Sequence, residues 1–191
     1  MPRLFTGLEV PAHIRAILGM KQAGLAKLRW IDPSDFHLTL RFIGNVDSQQ
    51  ANEIVDALSR KQWVAPTITL DEVKCFGGAK PTTLFASVKA DAHLSALASA
   101  HDRLMQQMGL PPDPRRFTPH VTLARCKGIS AQSVARYLSL HGAAMPGLSY
   151  RPERFVLYSA RESKGGGPYR IEETWPLLMA QPEARNLTAI H

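Results

Sequence analysis

The chain spells one four-residue pattern twice, as His37-Leu38-Thr39-Leu40 and as His120-Val121-Thr122-Leu123. Each copy is a short apolar run that carries one imidazole and one hydroxyl two positions apart. In a β-strand such residues leave the same face, while the aliphatic neighbours turn to the other. One copy alone reads as a core histidine beside a β-branched residue. The two copies stand nearly half the chain apart, each follows a phenylalanine (Phe36, Phe117), and each has an arginine nearby, Arg41 or Arg125. Repetition at that spacing predicts two similar lobes related by a pseudo-two-fold axis, with the His/Thr strands meeting at the axis.

The surrounding patterns agree with an α+β chain of alternating helices and strands. Arg3 to Val10 reads as a strand, Ala12 to Lys27 as an amphipathic helix behind Pro11, and Arg29 to Asp32 as a short strand holding Trp30. After the Asp32-Pro33-Ser34-Asp35 turn comes the first His/Thr strand, ending at Gly44-Asn45, then a helix that Ser48 would cap. Pro66 to Phe76 and Thr83 to Val88 form a hairpin across Gly77-Gly78-Ala79-Lys80-Pro81, and Asp91 to Met108 is a third helix. His93 and His101 on that helix read as surface or core-edge residues. A proline-rich segment from Leu110 to Pro114 leads to the second His/Thr strand. Ser130 to His141 is helical, and Ser149 to Ala160 and Tyr169 to Leu177 are closing strands. Residues 1–178 read as a single bilobal domain, with Gly165 to Gly167 a hairpin tip and residues 179–191, including the Asn186 sequon, a tail without periodicity.

Bulk properties narrow the partners. A net charge of +7, with 45% hydrophobic and 20% charged residues, describes a soluble globular protein whose basic surplus favours polyanions, nucleic acid above all. Cys75 and Cys126, in strand-like contexts and not in a C-x-x-C pair, read as buried free thiols. The N-terminal stretch lacks the apolar core of a signal peptide, and no run approaches the ~20 residues of a membrane span. The expectation is a cytoplasmic protein with no membrane partner.

The duplicated pattern is the constellation able to do chemistry. Two histidines with ordinary pKa values of about 6.5 can be held one neutral and one protonated, as general base and general acid. An in-line displacement at a phosphodiester needs both, and it needs donors for the oxygens on which charge accumulates. Thr39 and Thr122 supply hydroxyls. Arg125 or Arg41 supplies a cationic clamp, with Arg125 the better placed, at a strand end from which its long side chain folds back. Other templates fail. The chain has no G-x-S-x-G elbow, no H-E-x-x-H or cysteine/histidine cluster, no dinucleotide fingerprint, and the glycines before Lys80 lack phosphate-loop spacing. The pattern calls for no metal and no cofactor.

With both H-x-T-x motifs in place, the sequence resembles the 2H phosphoesterase superfamily, and within it the RNA 2′,3′-cyclic phosphodiesterases, also called 2′-5′ RNA ligases of the LigT-like type. Arg3 to Gly7, Trp30, Arg41 to Gly44, Arg116 to Pro119, Arg125, Phe155 to Ser159 and Tyr169 to Leu177 add to the resemblance. It implies a bilobal α+β fold with antiparallel sheets lining a central cleft and helices outside. It also implies that His37 is the general acid protonating the leaving 3′ oxygen, that His120 is the general base activating water, and that Thr39, Thr122 and Arg125 hold the phosphate. The implied activity is metal-independent hydrolysis of RNA 2′,3′-cyclic phosphate ends to 2′-phosphomonoesters by a monomer. Reversible 2′-5′ RNA ligation, a non-catalytic RNA-end binding module and a small-molecule cyclic phosphodiesterase are the alternatives. Phe85 stands where relatives often carry tryptophan, which bears on packing alone. Phe42, Phe76 and Phe117 read as core residues that could also stack a terminal base.

Overall fold

The computed structural model describes residues 3–25, 28–160 and 167–179. Its centre is a nine-stranded sheet in which all assigned pairings between strands are antiparallel. One lobe holds β1 (Arg3–Glu9), β3 (His37–Asn45), β8 (Arg154–Ala160) and β9 (Tyr169–Pro176). The other holds β4 (Ile68–Phe76), β5 (Thr83–Val88), β6 (His120–Arg125) and β7 (Ser149–Tyr150), with β2 (Arg29–Trp30) paired on β6. The lobes meet where β3 pairs with β6, so the expected bilobal α+β architecture and the meeting of the two His/Thr strands are both present.

The helices do not follow the halves of the sequence. α3 (Ala92–Gln107) comes from the second copy of the repeat but packs on the first lobe, where His101 meets Thr6 of β1 and Phe155 of β8. α1 (Ala12–Gly19) is followed by a turn whose Lys21 bonds the His141 carbonyl of α4 (Ala131–His141), on the other lobe. α2 (Ser48–Ser59) packs beside α3. The chain thus crosses between lobes several times, and neither lobe is a contiguous half.

Several expected boundaries shift for physical reasons. α1 stops at Gly19 and does not run on toward Lys27. Beyond it the Lys21 carbonyl accepts from the Tyr137 hydroxyl, and the Gln22 amide donates to the carbonyls of Ile31 and Leu123. Those tertiary bonds replace the next helical turn, and Gly24 takes a positive φ of 78°. α2 is capped by Asp47, which accepts from the Gln50 N–H, and Ser48 is its first residue. The expected strand from Ser149 to Ala160 is two strands, because Pro152 lies between a piece that pairs with β4 and a piece that pairs with β1. The Gly77 to Pro81 segment is the hairpin connection that the spacing predicts. Both thiols are half-buried, not buried, with Cys126 pushed up to about 11 by burial and by Cys75. Gly165, Gly166 and residues 180–191 lie outside the described residues, and the described chain runs through Leu178, which bonds Trp63 and Ala65.

Most of the core is one cluster of buried aliphatic and aromatic residues that runs through both lobes, and Phe5, Val156 and Tyr158 form a second, smaller one. His93 is exposed as expected, but His101 is fully buried, 4.4 Å from Trp63 and 4.8 Å from Phe155 between ring centroids. Its Nδ1 lies 3.0 Å from the Thr6 hydroxyl. Burial pushes its pKa down to about 3, and the charge of Lys61 acts in the same direction. The unfolded chain therefore takes up a proton at this ring between about pH 6.5 and 3 that the folded chain refuses. The stability it confers is complete above that window and lost as pH falls through it. The urea midpoint is expected to drop between pH 7 and pH 4.5, and to drop less steeply in His101→Gln, by up to about 1.4 kcal/mol per pH unit. An unchanged slope in the variant would count against this assignment.

Candidate active site

The site is built where the sheet comes apart. Leu38 pairs with Val121, and extending this antiparallel register by one residue sets His37 opposite Thr122 and Thr39 opposite His120. The two histidines are then diagonal neighbours on one face, a separation of about 7–8 Å in an undistorted sheet. Leu38–Val121 is the one assigned pair between β3 and β6, and beyond it the segment entering β6 leaves β3 and stays on β5, where the Pro119 carbonyl accepts from the Val88 N–H. The open seam is a cleft of ≈ 910 Å³. His37, Thr39, His120, Thr122 and Arg125, the five residues singled out from the sequence, all line it.

Each imidazole is held in the same way. His37 Nδ1 lies 2.8 Å from the Asp35 carbonyl oxygen, and His120 Nδ1 lies 2.7 Å from that of Thr118. A carbonyl only accepts, so Nδ1 carries the proton in both rings and Nε2 is left for chemistry. Aromatic rings fix the remaining freedom. His37 packs among Phe5, Tyr158 and Tyr169, at 4.9, 5.3 and 4.9 Å between centroids. His120 meets Phe76 at 5.1 Å and Phe85 at 5.2 Å, and those two phenylalanines stack at 3.9 Å. Phe85 thus supports the second histidine directly and is more than a packing detail. Phe42, Phe76 and Phe117 are half-buried and line the cleft, so they are not purely core residues.

Burial in these aromatic pockets disfavours the charged ring. It pushes His37 down to about 4, a shift that the Asp35 carbonyl bond opposes and that nearby His120 and Arg125 reinforce. His120 is also lowered, by burial first and then by Arg125 and Arg115, against its bond to Thr118. The two candidate arginines separate cleanly. Arg125 reaches the cleft with Nη1 3.0 Å from the Thr83 hydroxyl. Arg41 is 6% exposed and committed to structure, with Nε 2.6 Å from Asp102 and its remaining nitrogens toward Asp113 and the carbonyls of Phe42 and Pro111. The hydroxyls of Thr39 and Thr122 carry no intramolecular hydrogen bond among the described residues, which leaves them free for a ligand.

Three supports escaped the sequence. Asp35 holds His37 through its carbonyl, while its carboxylate accepts from the Tyr169 N–H at 3.1 Å and so seats the start of β9 against the same ring. Gly7 lies under His37, and a Cβ there would stand 2.9 Å from the Leu38 carbonyl oxygen. Tyr169 comes from 132 positions beyond His37 in the chain, with no local signal to announce it. Among the described residues no group of three or more His, Cys, Asp or Glu side chains is placed to hold a metal ion, and no helix is long and apolar enough to cross a membrane.

Comparison with known proteins fits this geometry. An RNA 2′,3′-cyclic phosphodiesterase of Aeropyrum pernix is 33% identical over 103 residues, which cover 53% of this chain and 58% of that protein. One from Aquifex aeolicus is 29% identical over 68% of this chain and 70% of that protein. The crystal structure of E. coli LigT complexed with 3′-AMP superimposes with a TM-score of 0.75 at 22% identity, over 93% of this chain and 99% of that one, which speaks to the fold. The family model of the 2′-5′ RNA ligase superfamily matches residues 19–163, and the chain belongs to that superfamily.

Proposed function

We propose that the chain hydrolyses RNA 2′,3′-cyclic phosphate ends to 2′-phosphomonoesters without a metal ion. The observation that carries this reading is the pair of imidazoles on one face of the Leu38–Val121 junction, each with Nδ1 tied back and Nε2 left for the cleft. His120 Nε2 takes a proton from water as its oxygen bonds to phosphorus, and His37 Nε2 gives a proton to the 3′ oxygen as the P–O3′ bond breaks. Thr39, Thr122 and Arg125 hold the non-bridging oxygens, where charge builds up in the transition state. The names of the relatives support the substrate class. A 5′-hydroxyl in place of water makes the same proton traffic a 2′-5′ ligation. The roles follow from which way the ribose lies between two equivalent strands, so a 3′-phosphate product would exchange the acid and the base.

A donor must hold a proton, and burial opposes this at both rings. Bound phosphodiester brings a negative charge that offsets Arg125 and favours protonation. The profile of kcat/KM, which reports the free enzyme, is therefore expected to peak below pH 6.5 and fall as pH rises, while that of kcat, which reports the complex, is displaced upward. Coincident profiles centred at or above pH 7 would refute this account. Chromatography of a cyclic-phosphate oligonucleotide incubated in chelator is expected to show the 2′-phosphate. His37→Ala and His120→Ala are each expected to lower kcat by about 10²–10⁴-fold with circular dichroism unchanged. Activity lost on chelation, or full activity in either variant, would sink the mechanism.

Asp35 is a positioning residue in this scheme, and its carboxylate is separable from its carbonyl. Asp35→Asn keeps an acceptor for the Tyr169 N–H and is expected to stay within about twofold of the parent kcat. Asp35→Ala loses that acceptor and is expected to fall about five- to tenfold, the cost of one hydrogen bond. Its acid limb is expected to move up in pH as the His37 ring loses cover. A kcat loss without that displacement would reduce Asp35 to a purely structural part.

A further inference from the structure

The cleft is far longer than the two histidines need. β3 lines it from His37 to Asn45, eight residue steps, or about 26 Å at the rise of a strand. Its far end is closed by the start of β1, where Arg3 pairs with Asn45, and by α3, whose Ser99 and Arg103 lie one turn apart on the face toward the cleft. Between the ends, the half-buried Phe42 ring lies on the floor with the Arg115 guanidinium 4.5 Å from its centroid. Asp113 fixes that guanidinium, with Oδ1 3.2 Å from Nε and Oδ2 3.3 Å from Nη2. The Arg41–Asp102 pair fixes Asp113 in turn, through the Asp113 N–H that donates to Asp102 at 3.1 Å.

The charge along this arm is one-sided. Six arginines line the cleft against two aspartates, and both aspartates are engaged by Arg41 and Arg115. Among the described residues, Arg3 and Arg103 at the far end have no carboxylate within ion-pair distance, and both are exposed. A groove with a flat aromatic and guanidinium platform beside the reacting end, and unpaired cations further out, has the chemistry of a single-stranded nucleic acid track.

We propose that the nucleotides preceding the cyclic phosphate lie along this arm, with a base stacked at Phe42 and Arg115 and an internucleotide phosphate at Arg103 and Arg3. The inference rests on the cyclic phosphodiesterase reading, because that reading places the terminal phosphate between His37 and His120. It makes the preferred ligand an RNA of several nucleotides and not a mononucleotide.

Binding can be measured without turnover. Fluorescence anisotropy with dye-labelled RNAs of one to five nucleotides, each ending in a 2′-phosphate, is expected to show affinity rising with length to about tenfold or more over the mononucleotide, then levelling. The salt slope of the longer RNAs is expected to be steeper by about 0.7 for each phosphate engaged. In the doubly substituted Arg3→Glu/Arg103→Glu protein the ratio of tetranucleotide to mononucleotide affinity is expected to collapse to about one. The same reversal at Arg60 and Arg136, exposed arginines outside the cleft, is expected to leave that ratio in place. Equal affinity for all lengths in the parent protein, or a length dependence that survives Arg3→Glu/Arg103→Glu, would overturn the track. Hydrolysis of a cyclic mononucleotide, assayed separately, reports on the parent reading alone, so the two can fail independently.

Discussion

One antiparallel pairing, Leu38 with Val121, holds the site in existence. It joins a four-stranded and a five-stranded half into one sheet, and both of its residues are fully buried. Because strand side chains alternate, fixing those two residues toward the core turns the neighbours of each, His37 and Thr39, His120 and Thr122, to the opposite face. A one-residue slip would bury the imidazoles and expose the aliphatics. The hydrophobic pattern that folds the centre of the molecule is therefore the same pattern that aims its polar groups. Beyond that single pair the two strands part, and the interruption is what opens a cleft in an otherwise continuous sheet.

Around that junction, structure and chemistry pull against each other. Rings pressed on aromatic neighbours are held in one orientation, but the same burial drives their protons off. An exposed histidine would keep its ordinary pKa and lose its aim. The chain settles this on the side of geometry: each Nδ1 is bound to a carbonyl two residues upstream on its own chain, a local bond that partly counters the desolvation. Gly7 belongs to the same compromise, because the close approach of β1 that brings Phe5 against His37 leaves no room for a side chain beneath the Leu38 carbonyl.

What the sequence could disclose divides along the reach of the interactions. The His/Thr strands and the hairpin from β4 to β5 follow from residues within a few positions of one another, and their places were legible, while the cap of α2 lay one residue before the expected Ser48, at Asp47. The burial of Arg41 in a network with Asp102 and Asp113 was not legible. The failures came from long range. His101 sits at a helical interval among leucines, where nothing local distinguishes an edge position from the full burial that Trp63 and Phe155 impose. Tyr169 reaches His37 only after the chain has crossed both lobes. The single strand expected from Ser149 to Ala160 hides the most consequential case, a crossing from one lobe to the other at Pro152.

That crossing bears on how a repeated motif acquires unlike functions. The two strands are equivalent by pattern and nearly so by backbone, yet their surroundings come from different parts of the chain. His37 is enclosed by β1, β8 and β9, with tyrosines at two of its three aromatic contacts. His120 rests on two phenylalanines of the β4–β5 hairpin, and it has Arg115 and Arg125 among the charges that act on it. A symmetric junction alone would give two interchangeable imidazoles and no preferred direction for a ribose. Unequal enclosure gives the two rings different surroundings, and the basic arm of the cleft runs along β3 from the side of His37. The difference between the two sites thus lies in the long-range packing, while the repeated motif supplies the groups themselves.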